Sequence, residues 1–260
     1  MNKGRLTVEE CERRIDLLLK FIFVFRYVTR QDISEFSRIV IGITYFRRLI
    51  HYAVSRDLIR TCYNPINKTR FYYLSASDVG LIHDADNLFK EHYRFDRKSH
   101  MGVNAFTRHL ILVNLYLNIK RQIDIDLAKW KSEWMVRVGR QRRETGPDTV
   151  ITLPSGIKVA VELILQYRRP KFLKELISCY YYDIEKAFKY HLLFIIVPHH
   201  YEHIRKRMYS LSPRFSEKYL IVANLEMINQ GICFCKGGVK GLKEAFELFK
   251  IANANTTVKT

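Results

Sequence analysis

Two carboxylates near the middle of the chain have the chemistry of metal ligands. Asp148 follows Pro147, and Glu162 interrupts the aliphatic run VAVEL. An acid inside an apolar strand is costly unless something pairs with it. A divalent cation held by carboxylates activates water and neutralises the charge that builds on a phosphate. The two acids therefore indicate a candidate site for metal-dependent hydrolysis, with Mg²⁺ or Mn²⁺ as the cation.

Three further residues are candidates for the same site. Glu133 could supply a third oxygen ligand, and Lys171 or Arg168 could orient water or stabilise the transition state. Structural interpretations stand beside these functional ones. Asp148 could be only a turn or cap residue, and Glu133 could lie on the surface. Glu162 could form a structural ion pair with Arg168 or Lys171, because acids are rarely buried without a partner.

Alternating apolar and polar residues predict the strands that carry the acids. Asp148 begins one strand of a hairpin, a turn follows at 154–156, and Glu162 lies on the next strand. Glu133 is predicted one strand earlier. Antiparallel neighbours of this kind can bring the acids to one end of a sheet.

Helices and strands on both sides complete an α-β-β-β-α-β order with extra elements after it. They are predicted as a helix at 103–121, a first strand within 126–137, a helix at 170–190, a buried strand at 191–197, a helix at 201–209, strands at 219–223 and 231–235, and a helix at 240–251.

The N-terminal part of the chain predicts three helices and a hairpin. They lie at 8–27, 30–36, 44–55 and 58–75, and a further helix is predicted at 77–95. Three helices, the last of them basic, followed by a basic-tipped hairpin are typical of a winged helix-turn-helix. In that domain the third helix enters the major groove of DNA and the wing touches the backbone. The DNA contacts expected on this basis are Arg47, Arg48, His51, Lys68 and Arg70.

The same charges have two other interpretations. They could form a solvated face, and winged helices also serve as protein-docking modules. Net charge favours DNA: the 260 residues carry a formal charge of +18. A folded protein this basic most often binds nucleic acid, with an anionic membrane surface as the second option.

Composition also excludes several classes of protein. The longest apolar runs are too short to span a bilayer, so no membrane insertion is expected. Five cysteines without CxxC spacing, and no recognisable secretory signal, indicate a reducing cytoplasm. Walker, GxGxxG and GxSxG motifs do not occur, so ATPase, dehydrogenase and serine hydrolase functions have no support.

A polar, Gly-containing segment at 96–102 is the best candidate for a domain boundary. It predicts a DNA-binding domain over residues 1–98 and a second domain over 103–252, with a disordered tail at 253–260.

Several of these features together resemble a known family. The Pro147-Asp148 pair followed by VAVEL resembles the PD-(D/E)xK restriction-endonuclease-like superfamily. With the winged helix, the HLILVN segment and the W-x-x-E of Trp130 and Glu133, the chain resembles the replication-relaxation and MobC-type plasmid mobilisation proteins.

The resemblance implies an α+β protein, with an N-terminal winged helix-turn-helix followed by an α-β-β-β-α-β restriction-endonuclease-like domain. It implies a relaxase that makes a metal-dependent, site- and strand-specific nick in double-stranded DNA at a plasmid transfer origin. Asp148, Glu162 and Glu133 would then hold Mg²⁺ or Mn²⁺, and accessory mobilisation and coupling proteins would be the partners.

One position departs from the family pattern. The motif requires Lys two residues after Glu162, where this chain has Ile164. Either Lys171, or failing that Arg168, supplies the cation, or the nuclease domain has decayed. In the second case the protein would be a non-catalytic, sequence-specific DNA-binding regulator of plasmid replication or transcription. The run at Tyr180, Tyr181 and Tyr182 is expected to pack and to face solvent, with a nucleophilic role as the minority interpretation.

Overall fold

A computed structural model describes residues 7–42, 46–64, 68–75, 77–82, 86–93, 103–138, 146–166 and 170–254. The chain divides into two compact units, Met1–His109 (unit 1) and Leu110–Thr260 (unit 2). The boundary segment predicted at 96–102 lies outside the described residues, as do residues 255–260 of the predicted tail.

Side chains cap the N-termini of the first two helices of unit 1. The Thr7 hydroxyl accepts the Glu10 N–H at 3.2 Å, and Thr29 and Asp32 form a reciprocal capping box. The elements of unit 1 are α1 (Val8–Phe25), β1 (Tyr27–Thr29), α2 (Arg30–Phe36), a π-helical turn (Ser37–Ile41), α3 (Phe46–Ser55), β2 (Arg60–Tyr63), β3 (Arg70–Tyr73), a 3₁₀ turn (Asp78–Leu81) and α4 (Asn87–His92).

The three short strands of unit 1 form one antiparallel sheet in the order β1-β3-β2. Strand β1, which the sequence does not predict, pairs Tyr27 with Tyr73 and Thr29 with Phe71. Tyr27 and Phe71 are buried, with ring centroids 5.4 Å apart. The sheet therefore ties the segment between α1 and α2 to the hairpin that follows α3.

The single helix predicted at 77–95 is wrong. The described residues there form the 3₁₀ turn and the separate helix α4, with Ile82 in an extended conformation between them. Asp86 starts α4 by accepting the Leu88 N–H at 2.9 Å. An Asp side chain that caps a new helix interrupts the longer one.

Unit 2 contains the acids. Its elements are α5 (Val103–Gln122, which begins in unit 1), a 3₁₀ turn (Leu127–Lys129), β4 (Trp130–Ser132), α6 (Glu133–Arg137), β5 (Thr149–Thr152), β6 (Lys158–Leu163), α7 (Pro170–Glu185), β7 (Leu192–Ile196), α8 (Tyr201–Leu211), α9 (Pro213–Tyr219), β8 (Leu220–Ala223), α10 (Leu225–Gln230), β9 (Ile232–Cys235), β10 (Gly238–Gly241) and α11 (Leu242–Ala254).

One mixed sheet organises unit 2, in the order β10-β9-β8-β7-β6-β5-β4. Strands β4, β5 and β6 are antiparallel, whereas β6, β7 and β8 run parallel. Helix α7 is the crossover between β6 and β7, and its buried residues pack on the sheet. They include Leu173, Ile177, Tyr180 and Ile184. The α+β class predicted from the sequence is confirmed.

Four elements of unit 2 are absent from the sequence prediction: α6, α9, α10 and β10. Helix α11 continues to Ala254, two residues into the segment predicted as a tail. Within the described part of the chain, no helix combines the length and the apolar character needed to cross a membrane.

Candidate functional site

Asp148 and Glu162 each lie one residue beyond the pair of Thr149 and Val161, which is the last pair of the β5–β6 ladder. Thr149 of β5 pairs with Val161 of β6, and the Asp148 N–H donates to the Val161 carbonyl at 2.8 Å. The Asp148 N–H thus bonds to the residue that Thr149 already opposes, so the regular ladder ends at that pair, and Asp148 and Glu162 are the next residues beyond it.

Glu133 follows the same rung of the sheet. Ser132 of β4 pairs with Thr149 of β5, which in turn pairs with Val161 of β6. The three acids are each one residue beyond this row of paired residues: Glu133, Asp148 and Glu162. Three neighbouring strands therefore bring the backbones of three acids to one end of the sheet. We call these three residues the acid rung.

Asp148 is a buried carboxylate, only 4% exposed. Its Oδ2 accepts the Leu163 N–H at 2.7 Å. This bond continues the β5–β6 ladder with a side chain where the strand itself has ended. A backbone donor satisfies part of the hydrogen-bonding capacity that burial would otherwise leave unmet. The sequence anticipated a turn or cap role beside the ligand role, and the structure gives Asp148 such a bond.

Glu162 is half-buried and bonded to a tyrosine that the sequence did not single out as its partner. The Tyr180 hydroxyl donates to Glu162 Oε1 at 2.5 Å. Burial raises the pKa of Tyr180 well above its usual value, and the charge of Glu162 and the hydrogen bond to it raise it further. Asp148 also contributes to that rise, so the three groups share one electrostatic environment.

The raised pKa fixes the protonation state of Tyr180 and therefore its chemistry. The side chain stays a neutral phenol that donates to a carboxylate, which is a poor state for a nucleophile. Tyr181 and Tyr182 are exposed. The tyrosine run therefore divides into one buried member that contacts the candidate site and two that face solvent, as packing along a helix requires.

Glu133 does not lie on the strand on which it was predicted. It is the first residue of α6, directly after β4. Its carboxylate forms an ion pair with Arg137, one helical turn further along. The predicted secondary structure of Glu133 is therefore wrong, but its backbone still lies at the end of the sheet where the other two acids lie.

The structure describes one of the two proposed cation donors. Lys171 is in the first turn of α7, 86% exposed, with its ammonium 3.9 Å from Glu175 Oε1. Arg168 lies outside the described residues. Ile164, at the position where the family motif has lysine, is buried with Leu173 and Ile177 in the apolar cluster under α7. A lysine at that position would have to enter this cluster.

The donor set of the acid rung fits a hard divalent cation in its chemistry. Mg²⁺ is commonly held by one or two carboxylates, with waters and substrate phosphates completing the shell. Asp148 and Glu162 would supply that pair. Among the described residues there is no group of three or more His, Cys, Asp or Glu side chains arranged to hold a metal ion.

The DNA contacts predicted on α3 lie on one exposed face. Arg47, Arg48 and His51 are exposed, whereas Ile50 and Ala53 are buried. This is the orientation that the apolar spacing predicts. The helix therefore presents two guanidinium groups and an imidazole to solvent.

The hairpin residues predicted as wing contacts are also exposed. Lys68 has a left-handed backbone, with φ of 57°, and residues 65–67 beside it lie outside the described residues. The Arg70 Nε donates to the Tyr63 hydroxyl at 2.8 Å, and the guanidinium lies 5.1 Å from the centre of the Tyr63 ring. The tyrosine therefore fixes the direction of this guanidinium.

His109 packs among the aromatic side chains of unit 1. Its ring is stacked on that of Tyr27 with centroids 3.8 Å apart, and the edge of Phe25 packs on it.

Comparison of the chain with protein-family models, curated proteins and solved structures finds no match.

Proposed function

We propose that the protein is a metal-dependent endonuclease that nicks double-stranded DNA at a plasmid transfer origin. The observation that carries the proposal is the acid rung. Asp148 and Glu162 are 14 positions apart in sequence (162 minus 148), yet each lies one residue beyond the Thr149–Val161 pair that joins β5 to β6. A pair of carboxylates at the end of a mixed sheet is a suitable ligand set for Mg²⁺ or Mn²⁺.

The order of elements in unit 2 supports the same proposal. Helix α5 precedes the antiparallel strands β4, β5 and β6, and α7 then crosses over to the parallel strand β7. Apart from the short helix α6 between β4 and β5, this order follows the α-β-β-β-α-β order expected of a restriction-endonuclease-like domain. A bound cation would supply activated water and charge neutralisation. The chain's own contribution is to hold Asp148 through the Leu163 N–H and Glu162 through the Tyr180 hydroxyl.

Unit 1 would select the site on DNA. Its elements run α1-β1-α2-α3-β2-β3, and β1 pairs with the hairpin in the order β1-β3-β2. That order is expected of a winged helix. Arg47, Arg48 and His51 on α3 would enter the major groove, and Lys68 and Arg70 on the hairpin would contact the backbone.

A nicking assay tests the proposal. Purified protein is incubated with supercoiled plasmid bearing the transfer origin, with Mg²⁺ or Mn²⁺ or with chelator. Nicking is expected only with the metal. Asp148→Asn and Glu162→Gln each should lose about 100-fold or more, because a missing ligand removes several kcal/mol of transition-state stabilisation. Asparagine at 148 keeps an acceptor for the Leu163 N–H.

Matched controls separate the site from general loss of charge. Asp124→Asn and Glu202→Gln each remove an exposed carboxylate. Asp124 pairs with Lys120 of α5, and Glu202 pairs with Arg205 of α8. Both should nick at the wild-type rate. Wild-type nicking by Asp148→Asn and Glu162→Gln would remove the acid rung from the reaction.

A second candidate function is favoured by the cation position. Ile164 is in the apolar cluster, and Lys171 faces solvent beside Glu175. If no lysine or arginine side chain reaches the acids, the protein would be a non-catalytic, sequence-specific DNA-binding regulator of plasmid replication or transcription. Tight, site-specific binding of duplex DNA by wild-type protein, with no nicking in either metal, would decide for this candidate.

A further inference from the structure

Phe188 has a backbone conformation that does not suit a bulky side chain. It lies in the turn between α7 and β7 with φ of 50°, in the left-handed region. Glycine is the residue that normally occupies such a position, and a large side chain there is uncommon. Phe188 is also 78% exposed. Neither the backbone nor the core therefore accounts for phenylalanine at this position.

Hydrogen bonds connect the turn that carries Phe188 to the end of α7. The N–H groups of Lys186 and Ala187 both donate to the Tyr182 carbonyl, at 3.0 and 2.9 Å. The Lys189 N–H donates to the Asp183 carbonyl at 2.8 Å, and its ammonium lies 3.1 Å from the Asp183 carboxylate. The aromatic ring thus projects into solvent from a fixed base.

Exposed basic and aromatic residues lie near Phe188 in the chain and at the start of the neighbouring strand β6. Lys186, Lys189 and Lys158 are exposed, and Tyr182, one helical turn before Lys186, is 61% exposed. Lys158 begins β6 and adjoins the end of this turn, because the His191 N–H donates to the Lys158 carbonyl at 2.8 Å. We call Lys158, Tyr182, Lys186, Phe188 and Lys189 the Phe188 surface.

The chemistry of the Phe188 surface matches one kind of partner. Exposed rings stack on unpaired bases, and ammonium groups beside them bind phosphates. In duplex DNA the bases are stacked on one another, so an exposed phenyl ring gains little from a duplex. Phosphates alone would require only the lysines.

We propose that the Phe188 surface binds single-stranded DNA, with Phe188 stacking on an unpaired base. The surface is separate from the acid rung. Lys158 and Glu162 are four positions apart on β6 (162 minus 158), which is about 13 Å at the usual rise of a strand. The inference rests on the proposed function only in taking DNA as the ligand, since it needs neither metal nor cleavage.

Binding of a short fluorescent oligodeoxythymidylate to the full-length protein, in chelator and at low salt, tests the inference by anisotropy. Phe188→Ala is expected to weaken binding about 5- to 100-fold, the effect of losing one stacked base. Phe188→Tyr should bind like wild type because it keeps a ring. Val239→Ala, which removes an exposed apolar side chain from β10, should also leave binding unchanged.

Phe188→Gly guards against a folding artefact. Glycine suits the left-handed backbone, so this variant should be at least as stable as wild type while it loses the same affinity. Wild-type affinity for the oligonucleotide in both Phe188→Ala and Phe188→Gly would overturn the inference. An equal loss for duplex DNA would overturn it too, since the surface would then be a general DNA contact.

A second copy of the chain is the remaining occupant to exclude. If Phe188→Ala changed the sedimentation of the free protein and left oligonucleotide binding intact, the surface would be a self-association site and the inference would fail. The inference and the proposed function fail separately. Absence of nicking by wild-type protein leaves the binding result unaffected, and loss of oligonucleotide binding does not require loss of nicking.

Discussion

At the scale of single residues, the candidate site depends on the contact between Tyr180 and Glu162. The Tyr180 hydroxyl donates to a half-buried carboxylate at 2.5 Å. Burial and the charge of Glu162 raise the pKa of Tyr180, so the donor is present throughout the neutral range. A neutral donor with a fixed direction holds Glu162 in one orientation, which a metal ligand requires.

Tyr180→Phe is expected to lower the free energy of unfolding by about 1–3 kcal/mol, because it removes a donor to a poorly solvated carboxylate. Urea unfolding followed by tryptophan fluorescence measures this, since both tryptophans, Trp130 and Trp134, are in unit 2. Tyr182→Phe, which removes an exposed hydroxyl from the same helix, should change stability by less than about 0.5 kcal/mol. Equal effects of the two substitutions would contradict a special role for Tyr180.

The sequence predicted the acids of the site but not the tyrosine. Asp148 and Glu162 are conspicuous because one follows proline and the other interrupts an aliphatic run. Tyr180 is 18 positions after Glu162, and its hydroxyl reaches the acid only because of how α7 is rotated on the sheet. One signal was available: Tyr180 continues the helical spacing of Leu173 and Ile177, which predicts that it faces the sheet.

At the scale of elements, long patterned segments were predictable and short ones were not. The pattern of β6, α7 and β7 is strong because each is buried along a whole face. Strand β1 has three residues and α6 has five, which is too few to establish a period. Their conformation depends on partners distant in the chain, as when β1 pairs with β3.

The start of α2 gives a prediction at this scale. The Thr29 hydroxyl accepts the Asp32 N–H at 3.1 Å, and the Asp32 carboxylate accepts the Thr29 N–H at 2.7 Å. Thr29→Ala removes the hydroxyl and should lower the free energy of unfolding by about 1 kcal/mol. Chemical unfolding followed by far-UV circular dichroism measures the change. Thr29→Ser keeps the hydroxyl and should stay close to wild type, so a similar loss in both variants would argue against the cap.

At the scale of the whole molecule, the charge of +18 favours binding to polyanions, of which DNA is the one proposed as the ligand. The question is whether binding depends on the total charge or on its placement. Binding that uses particular phosphates releases a defined number of counterions, and each contact contributes about 0.9 to the slope of log affinity against log salt concentration. The slope therefore distinguishes residues that contact phosphates from residues that only add charge.

Two double variants with the same change in net charge answer that question. Arg47→Ala with Arg48→Ala removes the exposed guanidinium groups of α3, and should weaken duplex binding and reduce the magnitude of the salt slope by about 2. Arg13→Ala with Arg14→Ala removes two arginines of α1 that pair with Glu10, and should leave the slope nearly unchanged. Affinity for a duplex, measured by anisotropy over a series of salt concentrations, gives both slopes. Equal reductions of the salt slope in the two variants would mean that total charge governs binding. The proposed contact between α3 and DNA would then be wrong.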